Sequence, residues 1–261
     1  MKAKVKRTVF YGLAFMASKW TIIFLLYHSG FWSYWFLLLF PIADTIAAIL
    51  AIIYLKGNFK KYFAQILEDE YPEDFAIIIS ETDTAYGQIK NDIEFVQKSK
   101  NPLDKRINFA GYFLALIRVL EKKGESFDTI RKVSLGVAKE YIKPKNRIHH
   151  WYLLLVPKLV NTALAKRFLA KLHKKVSVQS HSNGFQAAVL TSKKETNGFG
   201  YGIDIVECGI CKLFKQKNES KYLSILCEVD HLTSEIAGLQ LVRTSTIAQG
   251  ASHCDFRFQK I

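Results

Sequence analysis

Residues 219–237 carry the densest set of side chains able to do chemistry. At about 100° per residue, Tyr222, Ile225, Leu226, Val229, Leu232 and Ile236 fall on one helical arc, while Cys227, Asp230, His231 and Ser234 fall on the opposite side. Cysteine is among the most buried residue types, so a cysteine on the polar side implies that this side is covered too, as by a cleft wall. Cys227 and His231 stand one turn apart at i and i+4, within reach of a thiolate–imidazole interaction, with Asp230 alongside to orient a group or accept a proton. An exposed polar face with an incidental thiol is the alternative.

The last apolar alternation, 253–259, places Cys254, Phe256 and Phe258 on one face and His253, Asp255 and Arg257 on the other. His253 is therefore not the base for Cys254; Asp230 and His231 are the groups of the right kind. Arg243, expected on the partner strand, can pair with Asp255 or bind a substrate carboxylate. A metal reading competes, with zinc as the alternative cofactor to none: Cys208 and Cys211 form a CxxC, and Cys227 and Cys254 complete a set of four. The second CxxC of a zinc ribbon is missing.

Around these residues the pattern predicts an α+β body. Helices are expected over 58–70, ended by Tyr71 and Pro72, through 75–96, from about 109 to Gly124, from a Ser126 cap to about 141, and over 151–176. From 177 the period changes: strands over 185–191 and 199–206, helices over 207–216 and 219–237, then a strand pair, 239–248 and 253–259, around Gly250. The expected domains are a membrane hairpin over 1–57 and a cytosolic α+β body over 58–261, helical over 58–176 and sheet plus helices over 177–261.

The hairpin rests on two apolar stretches, 9–27 and 31–55, each long enough for the roughly 20 residues that cross a bilayer. Lys2, Lys4, Lys6 and Arg7 precede the first, and Lys56, Lys60 and Lys61 follow the second, so the positive-inside rule puts both ends in the cytoplasm. Lys19 and Asp44 sit near the middle of the two stretches and are expected to pair. A shallow hairpin in one leaflet fits the same hydropathy. Most of the net charge of +14 sits in 141–194, which has no Asp or Glu. Over 143–175, bases alternate with Leu, Val and Phe, as in a helix resting on anionic headgroups, although an ordinary solvated basic face gives the same pattern. No nucleic-acid motif accompanies the charge. All four cysteines lie in the last quarter of the chain, the wrong distribution for a disulfide-stapled secreted domain, so they read as reduced thiols.

Taken in order, Cys208, CEVD at 227–230, RTSTIAQG at 243–250 and CDFRF at 254–258 resemble the L-2-amino-thiazoline-4-carboxylic acid hydrolase family. The resemblance is best over 200–258, weaker over 108–175 and absent from the hairpin. It implies hydrolysis of a C–N or C–S bond in a cyclic amidine-type small molecule, without a tightly bound organic cofactor. It carries over Cys227, Asp230, Arg243, Thr244, Cys254 and Asp255, with Cys254, Asp230, Cys227 and His231 as candidate catalytic groups and Arg243, Thr244 and Asp255 as substrate-binding groups. Cys211 and His231 rest on spacing alone. The expected protein is a membrane-anchored hydrolase; a non-catalytic small-ligand or metal-binding module is the alternative.

Overall fold

A computed structural model describes residues 59–260. The two apolar stretches and the Lys19 and Asp44 pair lie outside them. Among the described residues no helix is long and apolar enough to cross a membrane. Phe59–Ile261 forms one compact unit, described here by itself.

Helix α1 (Lys60–Glu70) buries Phe63 and Leu67, one turn apart, and stops at Tyr71, whose N–H donates to the Leu67 carbonyl before Pro72. Helices α2 (Phe75–Asp92) and α3 (Phe95–Lys98) follow. The side chain of Asn101 then accepts the Leu103 N–H and starts a short turn, Pro102–Asp104. That turn leads into α4 (Lys105–Lys122), which buries every residue from Ala110 to Ile117 and is the central helix. Phe59, Phe63, Phe109, Tyr112 and Phe113 meet edge to face around it. Burial of each phenylalanine contributes about 2–3 kcal/mol. The chain turns back at Gly124, whose φ of +87° suits a residue without a Cβ. Ser126 caps α5 (Phe127–Ile142) by accepting the Thr129 N–H.

The single helix expected over 151–176 is two, α6 (Arg147–Leu159) and α7 (Ala163–Val176). Thr162 breaks it: its hydroxyl donates to the Leu159 carbonyl and accepts the Ala165 N–H, which ends one helix and caps the next.

Four antiparallel strands follow, β1 (Gln186–Leu190), β2 (Gly202–Glu207), β3 (Leu239–Val242) and β4 (Cys254–Lys260), in the spatial order β1-β2-β4-β3. Between β2 and β3 the chain forms α8 (Gly209–Gln216) and α9 (Leu223–Ile236). Ala187, Val189, Ile203, Ile205, Leu239, Leu241, Cys254, Phe256 and Phe258 line the buried face, and the alternation expected for 253–259 is the one observed. The strand expected over 239–248 ends early, at Val242. Beyond it the Asp255 carboxylate replaces the ladder, accepting the N–H groups of Thr244 and Ser245, and a short turn, Ile247–Gln249, completes the connection. The body is therefore α+β with one antiparallel sheet.

Candidate functional site

Cys208 is the first residue past β2 and the N-cap of α8; its Sγ accepts the Cys211 N–H at 3.4 Å. A helix start presents unpaired N–H groups and the positive end of the helix dipole, which favour a thiolate. Hydrogen bonding from the Cys211 thiol is the largest influence on Cys208; with the N–H groups of Cys211 and Ile210 it outweighs burial and the nearby Asp230 charge, so the pKa falls below the ordinary thiol value. The opposite happens at the other three. Cys211 is raised, first by its hydrogen bond to Cys208 and then by burial. Burial pushes Cys227 up to about 11, with Arg243 opposing, and also raises Cys254. The site thus holds one activated thiol among four.

Gly209 allows α8 to start there. A Cβ at that position would lie 2.5 Å from Ile107 Cδ1 and 2.9 Å from the Asn183 carbonyl oxygen, so the start of α8 is pressed against the first turn of α4. Arg106 stands on that turn, and its charge reaches Cys208.

Asp230, on α9, joins the remaining groups. Its Oδ1 accepts from Arg106 Nη2 at 3.0 Å and its Oδ2 from Arg243 Nη1 at 3.0 Å. Arg243 also donates to the Cys227 carbonyl at 2.8 Å and lies over the Phe256 ring at 5.0 Å. The arginines are not equivalent: the Arg243 side chain is 5% exposed and that of Arg106 47%. Arg243 is locked, whereas Arg106 faces outward.

Asp230, Arg243, Cys227 and Cys254 therefore come together around Cys208, as the charge influence among these groups also records. The expected roles change. Arg243 pairs with Asp230 and not with Asp255, because β3 ends before it and its side chain turns toward α9. Asp255 is occupied by Thr244 and Ser245, each of which donates through both backbone N–H and hydroxyl, so Asp255 and Thr244 form a structural clasp. Cys254 is buried, and its sulfur accepts the Ile247 N–H at 3.2 Å; neither Asp230 nor His231 hydrogen-bonds to it. No hydrogen bond joins Cys227 to His231, which is half-buried beside the cluster. The polar side of α9 is covered, as its cysteine implied: Cys227 and Asp230 are half-buried and Ser234 is buried. Among the described residues no group of three or more His, Cys, Asp and Glu side chains is placed to hold a metal ion. The alternative set Cys208, Cys211, Cys227 and Cys254 is therefore not brought together as a metal site.

Two residues escape the sequence reading. Cys208 entered only as a possible ligand, although a cysteine directly after a strand and before a helix is a readable N-cap signal. Arg106 gave no signal, being one base among many and 124 positions from its partner Asp230.

The α+β body thus sets a helix-cap thiol beside an arginine–carboxylate–arginine cluster. A model of the L-2-amino-thiazoline-4-carboxylic acid hydrolase family matches residues 105–258, and the chain belongs to that family. The match begins at α4, one residue before Arg106 is reached, and ends inside β4, so it spans every residue of the cluster. No curated protein and no solved structure matches the chain.

Proposed function

We propose that the chain hydrolyses a C–N bond in a small cyclic amidine bearing a carboxylate, with Cys208 as nucleophile and Arg106 as the receptor for the carboxylate. The place of Cys208 carries this reading: its sulfur caps the start of α8, accepts the Cys211 N–H and lies near Arg106, and the lowering of its pKa, against the raising of its three neighbours, agrees with that. Arg106 supports it: one guanidinium nitrogen holds Asp230, and its Nε and Nη1 make no hydrogen bond among the described residues. Asp230 holds Arg106 at Nη2 and is itself held by Arg243.

The Cys208 thiolate adds to the amidine carbon, forming a C–S bond as the C=N electrons move to the ring nitrogen, which takes a proton. The exocyclic nitrogen lone pair then forms a C=N bond as the ring C–N bond breaks, and the ring nitrogen takes a second proton from solvent and leaves as an amine. Water adds to the enzyme-bound carbon, the thiolate leaves with its electron pair, and the two protons of the water return to solvent, leaving a C=O group. The test is ring opening of 2-amino-thiazoline-4-carboxylate, followed chromatographically. Cys208→Ser loses activity by a factor on the order of 10³, while Cys254→Ser retains most of it. Full activity in Cys208→Ser removes the thiolate mechanism.

The proposal includes location. The apolar stretches 9–27 and 31–55 and their flanking bases support a membrane hairpin over 1–57 holding a catalytic body, 58–261, on the cytoplasmic side. Residues 143–175 support contact with an anionic bilayer: Trp151, Tyr152, Leu164 and Phe168 are exposed, and Leu164 and Phe168 share a face of α7 with Lys171 and Lys175. Chain that washes from membranes in alkaline carbonate refutes the anchor.

A further inference from the structure

The hydrolytic reading uses Cys208 and gives Cys211 only the part of its hydrogen-bond partner, yet the two residues are arranged as a pair. Cys208 is the half-buried N-cap of an eight-residue helix, and Cys211, 4% exposed, is the third residue of its first turn. The Cys211 N–H reaches the Cys208 sulfur at 3.4 Å. That contact keeps the Cys208 sulfur within reach of the first turn that carries Cys211, so closure asks only for a local movement of the cap. Cys208 has the freedom to make it, because its φ of −106° and ψ of 106° are extended and outside the helical ladder. The exposed member meets an external reagent and the shielded member stands behind it, which is the division between attacking and resolving thiols. The other two cysteines are worse partners. Cys254 sits in the sheet with its sulfur held by the Ile247 amide, and Cys227 is on α9, its carbonyl pinned by Arg243.

We propose that Cys208 and Cys211 form a reversible disulfide by exchange with small-molecule disulfides. The Cys208 thiolate attacks one sulfur of the disulfide, forming a mixed disulfide and releasing one thiolate. The Cys211 thiol gives up its proton to that thiolate, and its sulfur attacks the Cys208 sulfur, forming the internal bond and releasing the second thiolate, which solvent protonates. Two electrons pass from the protein dithiol to the small disulfide, which leaves as two thiols. A dithiol reductant reverses the sequence.

The experiment equilibrates the purified full chain with glutathione and glutathione disulfide at graded ratios, alkylates the remaining thiols, and maps peptides by mass spectrometry. The expected product is a single internal crosslink, two hydrogens lighter, between Cys208 and Cys211, fully reversed by dithiothreitol. In Cys211→Ser the glutathione stays on Cys208 as a stable mixed disulfide. A Cys208–Cys227 or Cys208–Cys254 crosslink overturns the pairing, and so does wild-type chain that stops at the mixed disulfide. The wild-type protein carries the main readout, so no variant has to fold. The pairing rests on geometry and is read by mass, so its failure leaves the hydrolytic reading standing. If the crosslink forms and ring opening continues unchanged, Cys208 as nucleophile falls and the pair stands.

Discussion

Asp230→Asn separates what Asp230 does for the fold from what it does for the reaction. The substitution keeps the shape and removes the charge, leaving the Arg243 guanidinium, 5% exposed, with only the Cys227 carbonyl and the Phe256 ring. Breaking a buried pair from one side costs about 3–5 kcal/mol, and the 16% exposure of Asp230 puts this case at about 3 kcal/mol. A domain of this size loses about 2–4 °C of Tm per kcal/mol, so Asp230→Asn lowers Tm by about 6–12 °C. The contact with Arg106 is worth less than about 1 kcal/mol, because that arginine is half exposed, and Arg106→Ala changes Tm by under about 4 °C. Arg243→Met added to Asp230→Asn costs less than the sum of the single changes, since no buried charge is then stranded. Thermal unfolding by circular dichroism measures all four proteins. Equal losses in Asp230→Asn and Arg106→Ala, or additive losses in the double variant, refute the division of roles between the arginines.

Iodoacetamide should alkylate Cys208 at a lower pH than a free thiol and leave Cys227, with its pKa near 11, unmodified until strongly alkaline solution; peptide mapping against pH reads both. Cys211→Ala should move the Cys208 profile to higher pH by removing its largest stabilising partner. Gly209→Ala should cost about 1–3 kcal/mol of stability and slow Cys208 alkylation, and Ile107→Val should restore only part, because the Asn183 carbonyl still collides. Asp255 gives an acid limb. Burial alone would raise its pKa, but hydrogen bonds from Thr244 and Ser245 outweigh burial and hold it at about 2. A carboxylate depressed in the folded state contributes stability above its unfolded pKa and loses it as pH falls through the folded one. Denaturant midpoints should therefore drop between about pH 4 and pH 2, and Asp255→Asn should flatten that drop.

The legible parts of the fold were those governed by neighbours in sequence. Ser126 as a cap, Gly124 as a stop and the alternation through Cys254, Phe256 and Phe258 each depend on a few adjacent residues, and each is where it was read. Strand and helix ends decided by a distant group were missed. Asp255 replaces the ladder after Val242, and Thr162 splits the long basic helix with hydrogen bonds that no hydropathy period reveals. The candidate site divides in the same way. Cys227 and Asp230 were read from the polar side of a helical arc and Arg243 from the expected partner strand and the family resemblance, and the structure joins Arg243 to both. Arg106 was not read, because its meaning comes only from a helix that arrives 124 residues later.

The cluster's charge adds to the hydrogen bonds from Cys211 and the start of α8 that lower the Cys208 pKa. Two guanidinium groups against the single Asp230 carboxylate leave one positive charge, and it lies toward Arg106, since Arg243 is enclosed and spends two nitrogens on Asp230 and the Cys227 carbonyl. One anion is therefore favoured beside Arg106. Cys208 is the thiol that stands there, its pKa lowered by the Cys211 thiol and by the N–H groups at the start of α8. Cys227 and Cys254 lie near the same charges but lack a helix start, and burial dominates their titration. A substrate carboxylate at Arg106 would compete for that charge and make the thiolate a stronger base and nucleophile as it binds. On the proposed reaction, activation of the thiol would then be coupled to binding of the group that identifies the substrate, and Arg106→Ala would weaken substrate binding more than it weakens the fold.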